Sequence, residues 1–537
     1  MLSDILKLKC LINKSIFFAF TGSVFLTSGK FVDPQAAPKF YFTALCLCSA
    51  ALFILINRKP VGEQLAGMNR QYIILGLYLT GTLQAVYGLL QYGGLLPSNH
   101  SIFTVTGSFE NPAGFTAVLC LLFPAGLYLT FRSAGINKIL LWCTLGIYIS
   151  AVVLSDSRTG LLAMVASLCV FLFYRYKATN SLKLFYPAIA LLIIALPVLI
   201  ISLARLNMQK TEYTNGRLLI WRVSLDMIRE RPVTGHGLGA FKARYMDYQA
   251  DYFLNNPGSR YSLLADNTKH PFNEFIKLII EFGILGFLVF LFLIMMLTRQ
   301  SFRKQGPYSV LFLGILASFL VFASFSYPLF YPPVWVLLLI FTGLLLPGKI
   351  PFSLNKTFLF VLRFVLVVIT IGGIGYFSVK AYAETVWKHI ATESLKGKTE
   401  VMLPRYAKLY PVLKGNPFFL YNYAAELNEA GRHSQSLILL KECRRKLVDY
   451  DVVMLEAENY RKTGDYQMAI SGYECASAMI PSKFLPLYHL LEITKEYGLT
   501  ELAEKYAYEI CRKEVKIPSM TVNYIKSIAR EYLKVIF

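Results

Sequence analysis

Long apolar stretches recur along the first 380 residues, and they constrain the fold of this chain more than any other feature. A helix needs about 20 predominantly apolar residues to cross the hydrocarbon core of a membrane. The chain is 55% hydrophobic and only 16% charged, which is typical of a polytopic membrane protein and not of a soluble one. We predict eleven spans, at residues 13–29, 40–57, 71–92, 113–131, 137–154, 160–176, 184–204, 272–298, 308–327, 331–347 and 357–378. The predicted fold class is therefore all-α, with a polytopic transmembrane helix bundle in residues 1–380.

The distribution of positive charge predicts the orientation of these spans. Of the net charge of +22, +19 lies in the first 380 residues and +3 lies from Ala381 onward. Every second connection carries Lys or Arg, and these alternate with charge-poor connections such as residues 97–112 and 326–333. Basic connections are cytoplasmic by the positive-inside rule, so the turn 155–158, the large loop 205–271 and the tail should face outward. Nucleic-acid binding is disfavoured, because no basic-aromatic surface module is visible.

Residues 381–537 form a second predicted domain, which is polar and has helical periodicity. Gly431, Gly464 and Gly498 recur about 34 residues apart, each between two helix-like runs. This pattern resembles tetratricopeptide repeats, which stack into a concave binding surface. A non-repetitive helical bundle is the alternative. Both interpretations predict a soluble helical docking domain without a catalytic motif of its own.

Two arginines on the predicted outer face are candidates for binding an anionic, lipid-linked substrate. Arg158 lies in a tight turn between two spans, where snorkelling at a helix end is the alternative role. Arg217 begins an amphipathic stretch predicted to lie along the membrane surface, where contact with lipid headgroups is the alternative. Arginine suits phosphate because its planar guanidinium stays protonated and forms paired hydrogen bonds.

The end of the outer loop contains the candidate for proton transfer. His270 stands just before a predicted span, and histidine is the natural proton acceptor near neutral pH. Glu274, one helical turn further on, is predicted to orient His270 or to position an acceptor hydroxyl. His236, which lies between glycines, and Asn273 are assigned site-shaping roles. The nine cysteines form no Cys/His cluster of metal-ligand spacing, so we predict neither a metal nor a cofactor.

Several motifs, in order along residues 70–347, resemble the bacterial superfamily of O-antigen ligases, Wzy polymerases and protein O-oligosaccharyltransferases. They are Gly107-Ser-Phe-Glu-Asn-Pro112, Ser155-Asp-Ser-Arg-Thr-Gly160, Gly216-Arg-x3-Trp221, Arg231-Pro-x2-Gly-His-Gly-x-Gly239, His270-Pro-Phe-Asn-Glu274 and Glu281-Phe-Gly-Ile-Leu-Gly286. The resemblance implies a GT-C-like glycosyltransferase that uses a polyprenyl-diphosphate-linked glycan. It also implies that Arg158 and Arg217 bind the diphosphate, that His270 is the essential loop histidine, and that the reaction inverts the anomeric carbon without a metal.

The acceptor is left open among three alternatives. The sequence His-Pro-x-Asn-Glu is similar to the version of this motif in protein O-oligosaccharyltransferases, which favours a protein acceptor. O-antigen ligation to lipid A-core and Wzy-type polymerisation are the other enzymatic alternatives. A non-enzymatic membrane scaffold or carrier acting through the repeat domain is the fourth hypothesis, although a carrier should show internal pseudo-symmetry, which the sequence lacks. The expected location is the bacterial inner membrane, with the active site and the tail facing the periplasm.

Overall fold

The computed structural model describes residues 17–56, 70–179, 210–304, 306–345 and 356–536. In these residues the regular secondary structure is helical and contains no strand, which confirms the predicted all-α class. Seven helical stretches are long and apolar enough to cross a membrane: Ala36–Ile56, Arg70–Tyr92, Pro112–Arg132, Gly135–Leu154, Glu274–Arg303, Pro307–Phe325 and Thr357–Leu413. Shorter apolar helices cover Arg158–Tyr174 and Pro332–Gly343. The protein is therefore a multi-pass membrane protein.

We number the helices of this described part in chain order. The first ten are α1 (Ala36–Ile56), α2 (Arg70–Tyr92), α3 (Pro112–Arg132), α4 (Gly135–Leu154), α5 (Arg158–Thr179), α6 (Lys210–Glu230), α7 (Ala240–Asn255), α8 (Glu274–Lys304), α9 (Pro307–Phe325) and α10 (Pro332–Leu345). They are followed by α11 (Lys356–Glu393), α12 (Thr399–Leu413), α13 (Pro417–Glu429), α14 (His433–Arg444), α15 (Tyr450–Thr463), α16 (Tyr466–Met479), α17 (Leu485–Glu496), α18 (Thr500–Arg512) and α19 (Met520–Ile536). Residues 17–25 are also helical. The predicted span 184–204 and the start of the predicted outer loop, 205–209, lie outside the described residues.

The chain forms two compact units. The first comprises residues 1–206, 272–274 and 290–386, and the second comprises residues 207–271, 275–289 and 387–537. The chain passes from the first unit to the second for the last time after Val386. The domain boundary predicted from composition is at residue 380. The predicted outer loop, however, belongs to the same unit as the tail, and not to the unit that holds most of the apolar helices.

Helix α3 forms the core of the first unit. Asn111 caps its N-terminus by accepting from the backbone N–H of Ala113 at 2.9 Å, and Pro112 occupies the first turn, where a missing N–H costs nothing. In the 18-residue window that qualifies it as a span, 89% of its residues are buried. The Ser318 hydroxyl of α9 lies within hydrogen-bonding distance of the carbonyls of Cys120 in α3, at 3.1 Å, and Ala163 in α5, at 2.8 Å. Such polar contacts between helices matter because lipid offers no hydrophobic force to hold them together.

The segment before α3 is held by polar side chains buried in the first unit. Gln91 accepts from the backbone N–H of Gly107 at 2.7 Å and donates to its carbonyl at 3.1 Å. Lys39, which is 1% exposed, donates to the Ser108 carbonyl at 2.7 Å. These contacts satisfy backbone groups that cannot reach water, and they fix the Gly107-Ser-Phe-Glu-Asn-Pro112 motif.

The tail consists largely of helical hairpins in the second unit. Gly431, Gly464 and Gly498 separate α13 from α14, α15 from α16, and α17 from α18, with φ of +70°, +83° and +67°. Glycine adopts this left-handed conformation at no steric cost, which ends one helix and allows the next to turn back. The predicted helix–glycine–helix pattern is thus present in three consecutive pairs. Their relation to tetratricopeptide repeats stays a prediction.

Candidate functional site

Arg158 is the first residue of α5, in the first unit. The preceding Asp156 has φ of +56°, a left-handed conformation that is uncommon for any residue other than glycine. The Ser157 hydroxyl accepts from the backbone N–H of Gly160 at 3.2 Å and so caps the helix. A Cβ on Gly160 would lie 2.8 Å from a methyl group of Val152, so the turn needs glycine there. The motif therefore builds a tight turn that places the half-buried Arg158 at a helix start.

Asn273 and Glu274 also belong to the first unit, where they hold the turn between α9 and α10. Asn273 Nδ2 donates to the Ser324 carbonyl at 2.9 Å. Glu274 is 7% exposed, and its Oε1 accepts from the backbone N–H of Leu329 at 2.9 Å. In addition to any chemical role, the two side chains therefore anchor the start of α8.

A second motif contacts the same turn. Tyr331 donates from its hydroxyl to Asn111 Oδ1 at 2.9 Å, and its ring lies edge-on to Phe109 at 5.7 Å between centroids. Phe272, which has φ of +52°, packs its ring edge-on to Tyr327 at 5.4 Å. The motifs at 107–112 and 270–274 are distant in sequence, and within the first unit both contact the turn 324–331.

Helix α8 is broken at Gly283, which has φ of +65° and ψ of −170°. The break leaves carbonyls without helical partners, and the segment 232–237 of the second unit supplies donors to them. The N–H of His236 donates to the Ile280 carbonyl at 2.8 Å, and the N–H of Gly237 donates to the Glu281 carbonyl at 2.9 Å. In return, the N–H of Ile284 donates to the Pro232 carbonyl at 2.9 Å. The glycine-rich motif therefore fixes the first part of α8.

Both ring nitrogens of His236 have partners within the second unit. Nε2 lies 2.7 Å from the Met227 carbonyl oxygen, and Nδ1 lies 3.4 Å from a guanidinium nitrogen of Arg244. Because a carbonyl oxygen only accepts, Nε2 carries the proton and Nδ1 accepts. The ring therefore links the end of α6 to α7.

Arg217 and His270 lie on segments that contact each other in the second unit. Arg217 is in α6, and Trp221 follows four residues later, so the two side chains share one face of that helix. The indole Nε1 of Trp221 donates to the Pro271 carbonyl at 2.9 Å. This bond fixes the residue next to His270 against the helix that carries Arg217.

His270 is surrounded by positive charge. Burial and the ammonium groups of Lys277, Lys242 and Lys269 lower the pKa of His270 to about 3. The imidazole is consequently neutral at physiological pH, which leaves one ring nitrogen able to accept a proton. A neutral imidazole is the form that a general base requires.

The tail helices hold the segment that leads to His270. The backbone N–H of Tyr450 donates to Asn267 Oδ1 at 2.9 Å, and Lys269 Nζ lies 3.9 Å from Asp449 Oδ2. Gln249 of α7 donates to the carbonyls of Asp266, at 3.3 Å, and Met479, at 2.7 Å. The loop and the tail therefore share hydrogen bonds directly before the candidate base.

Comparison with known families gives a match for one segment of this chain. Residues 143–291 match the family model described as O-antigen ligase. This segment is similar to O-antigen ligases. This confirms the predicted superfamily and supports a membrane glycosyltransferase of the O-antigen ligase type. The matched segment contains all six predicted site residues, whereas the tail lies outside it. Among curated proteins, none matches this chain.

The matched segment contains the predicted site residues in two groups. Arg158, Asn273 and Glu274 lie in the first unit, and Arg217, His236 and His270 lie in the second. Their roles stay predictions.

Sequence reasoning missed the lysines near His270 and assigned no role to Trp221. The sequence signals were the adjacent Lys269 and the position of Lys277, two helical turns after His270. Lys242 is 28 residues from His270, and no local signal links the two.

Proposed function

We propose that this protein transfers a glycan from a polyprenyl-diphosphate carrier to a hydroxyl acceptor at the outer face of the bacterial inner membrane. The single observation that carries the proposal is the hydrogen bond from Trp221 to the Pro271 carbonyl, which holds the segment of His270 against the helix that carries Arg217. His270 and Arg217 lie inside the O-antigen ligase match. A base and a phosphate-binding cation are the two groups that this reaction needs.

The reaction forms a bond between the acceptor oxygen and the anomeric carbon and breaks the bond between that carbon and the diphosphate. The diphosphate leaves with the bonding electron pair, and His270 accepts the proton of the acceptor hydroxyl. Arg217 stabilises the negative charge that develops on the departing diphosphate. Attack from the side opposite the leaving group inverts the configuration at the anomeric carbon, and the cations replace a metal in this scheme. The resemblance assigns Arg158 to diphosphate binding as well. Glu274, by its position one helical turn after His270, is the candidate for orienting His270 or positioning the acceptor hydroxyl.

A protein acceptor is our first choice. The His-Pro-x-Asn-Glu motif favours it, and the helical hairpins of the tail share hydrogen bonds with the loop segment before His270, which suits docking of a polypeptide near that segment. Ligation to a glycolipid such as lipid A-core is the second candidate, favoured by the family description of residues 143–291. Wzy-type polymerisation is the third.

The test uses a strain that lacks the gene. This strain is complemented with the wild-type gene or with one that encodes His270→Ala, Arg217→Ala or Arg158→Ala. Glycosylated proteins and surface glycolipid are measured from the same cells. His389→Ala is the matched control, because this histidine is exposed in the second unit. We expect the three site variants to lose transfer at normal membrane levels and the control to retain it.

The pattern of loss identifies the acceptor. Loss of glycosylated proteins alone supports a protein oligosaccharyltransferase, and loss of long-chain surface glycolipid alone supports a ligase or a polymerase. Full activity in His270→Ala would contradict the proposed base and favour the scaffold hypothesis.

A further inference from the structure

The three lysines near His270 are the strongest unexplained feature of the second unit. Lys242 Nζ lies 4.6 Å and Lys269 Nζ 5.0 Å from the ring centroid of Phe418, which begins α13 of the tail. Lys277 is near enough to lower the pKa of both His270 and Lys242. Residues from the loop, from α8 and from the tail therefore build one cluster, which we call the lysine cluster: Lys242, Lys269 and Lys277 with the Phe418 ring.

Carboxylates lie near two of the three lysines: Asp449 and Asp451 near Lys269, and Glu281 near Lys277. Asp449 forms the one ion pair, 3.9 Å from Lys269, in the part of the chain that is described. Within that part, none of the three ammonium groups donates a hydrogen bond to a protein acceptor. Lys242 is half-buried, and a cation that is partly removed from water without a hydrogen-bond acceptor costs free energy, so this position is expected to bind an anion.

A second lysine pair in the tail shows what a purely structural arrangement looks like. Lys513 and Lys526 flank Phe484 at 5.3 and 5.5 Å from its ring centroid. Lys513 donates to the Lys483 carbonyl at 2.7 Å, and Lys526 donates to the Lys513 carbonyl at 2.8 Å. The same residue types around the same kind of ring are satisfied there by backbone acceptors. The lysine cluster differs in lacking such acceptors and in lying beside His270.

We propose that the lysine cluster is a phosphate-binding subsite for the lipid-linked donor, to which the tail contributes Phe418. The inference rests on the proposed function and extends it, because it assigns the tail a part in donor binding beyond docking of an acceptor. The positive potential is concentrated at Lys242 and His270, whose charged neighbours are ammonium groups apart from Asp449 near Lys242, and a phosphate group suits that potential.

Binding of an anion at this place also affects the candidate base. The charged groups that act on His270 are Lys242 on α7, Lys269 on the loop and Lys277 on α8. Asp449 and Asp451 lie near Lys269, and Glu281 lies near Lys277. A phosphate among the lysines offsets their positive potential and raises the pKa of His270 toward its usual value of about 6.5. Donor binding and protonation of His270 are thermodynamically coupled, so the bound donor increases the proton affinity of the candidate base.

The experiment measures binding to the purified full-length protein, so that it does not depend on transfer. The probes are a polyprenyl diphosphate without a glycan, the neutral polyprenol, and vesicles of phosphatidylglycerol. The variant is Lys242→Gln with Lys269→Gln, and the matched control is Lys513→Gln with Lys526→Gln. We expect the variant to lose about tenfold or more in affinity for the diphosphate, the control to bind as the wild type does, and the polyprenol to bind equally to all.

Further variants separate charge from folding and test the contribution of the tail. Lys242→Arg with Lys269→Arg keeps both charges and should retain affinity to within about threefold, even where the glutamine variant is poorly folded. Phe418→Leu keeps an apolar side chain without the aromatic face and should weaken binding about two- to fivefold.

Three outcomes would overturn the inference. Unchanged diphosphate affinity in a folded glutamine variant excludes the subsite. An equal loss of affinity for phosphatidylglycerol vesicles means that the cluster binds bulk lipid headgroups. A loss in the control variant of the same size means that tail stability, and not the cluster, governs binding. A wild type that does not bind the diphosphate at all contradicts the proposed function itself, which distinguishes the two failures.

Discussion

At the residue scale, the main consequence of the structure is that His270 is neutral at physiological pH and that Lys242 titrates within the pH range of a transfer assay. The pKa of His270 is lowered to about 3 and that of Lys242 to about 8, in both cases first by burial and then by neighbouring ammonium groups. His270 thus holds a proton only in strong acid, and Lys242 loses its charge as the pH rises through about 8. These pKa values are those of the enzyme without substrate, and the pH dependence of kcat/KM reports the pKa values of that form.

We therefore predict that kcat/KM for the donor has no acid limb near pH 6.5 and falls through about pH 8 as Lys242 is deprotonated. Lys242→Arg keeps its charge at higher pH and should extend the plateau. The measurement is a transfer assay from about pH 5 to about pH 9.5. An acid limb near pH 6.5 would show that His270 is protonated in the free enzyme, and an unchanged alkaline limb in Lys242→Arg would exclude Lys242 as its source.

Glu274 allows a second prediction at this scale. Its Oε1 accepts from the backbone N–H of Leu329, and an amide oxygen in Glu274→Gln can accept the same bond. We expect Glu274→Gln to keep its thermal stability and its transfer rate to within about tenfold, and Glu274→Ala to lose about 1–3 kcal/mol of stability. Thermal unfolding in detergent and transfer rates check both. A stable but inactive Glu274→Gln would mean that the negative charge itself takes part in the reaction.

Individual site residues were predictable from the sequence where a short motif and residue chemistry coincide. Arg217 and His270 were chosen in this way, each from a short motif in or at the end of the predicted outer loop, and their roles stay predictions. The lysine cluster was not predictable, because Lys242 and Phe418 meet His270 only through folding of distant segments. Even Trp221, which stands in a predicted motif, shows its bond to Pro271 only in the structure.

At the element scale, hydropathy predicts the helices well but does not predict the break in α8. Residues 272–298 are predominantly apolar, and glycine inside such a run is compatible with a straight helix. The break depends on Gly283 and on the backbone of residues 232–237, with which it exchanges hydrogen bonds. Periodicity carries no information about such a partner.

Gly283→Ala should therefore destabilise the protein. Alanine at φ of +65° costs about 1–2 kcal/mol, and its Cβ would in addition overlap with the Val233 carbonyl. Gly343→Ala in α10 is the control, because a Cβ there meets no atom within 4 Å. Thermal unfolding of the two variants gives the comparison, and equal stability would mean that α8 can straighten without cost.

At the scale of the whole molecule, the tail is a structural part of the second unit as well as a candidate docking surface. Gln249 is fully buried and donates to carbonyls on both sides, at Asp266 in the loop and Met479 in the tail. It also accepts from the Tyr245 hydroxyl at 2.9 Å. Removing one buried side chain that satisfies three partners leaves each of them without its bond.

We predict that Gln249→Leu costs at least about 1–3 kcal/mol and loosens the loop and the tail together. Hydrogen exchange of the full-length protein should show faster exchange both in residues 264–272 and at the end of α16, with a parallel fall in transfer. Gln435→Leu, at an exposed position of α14, should change neither. Faster exchange confined to the tail would show that the segment leading to His270 holds its conformation without it. The tail would then be a separable docking module, as the sequence alone predicted, and its effect on transfer would have to come from the acceptor.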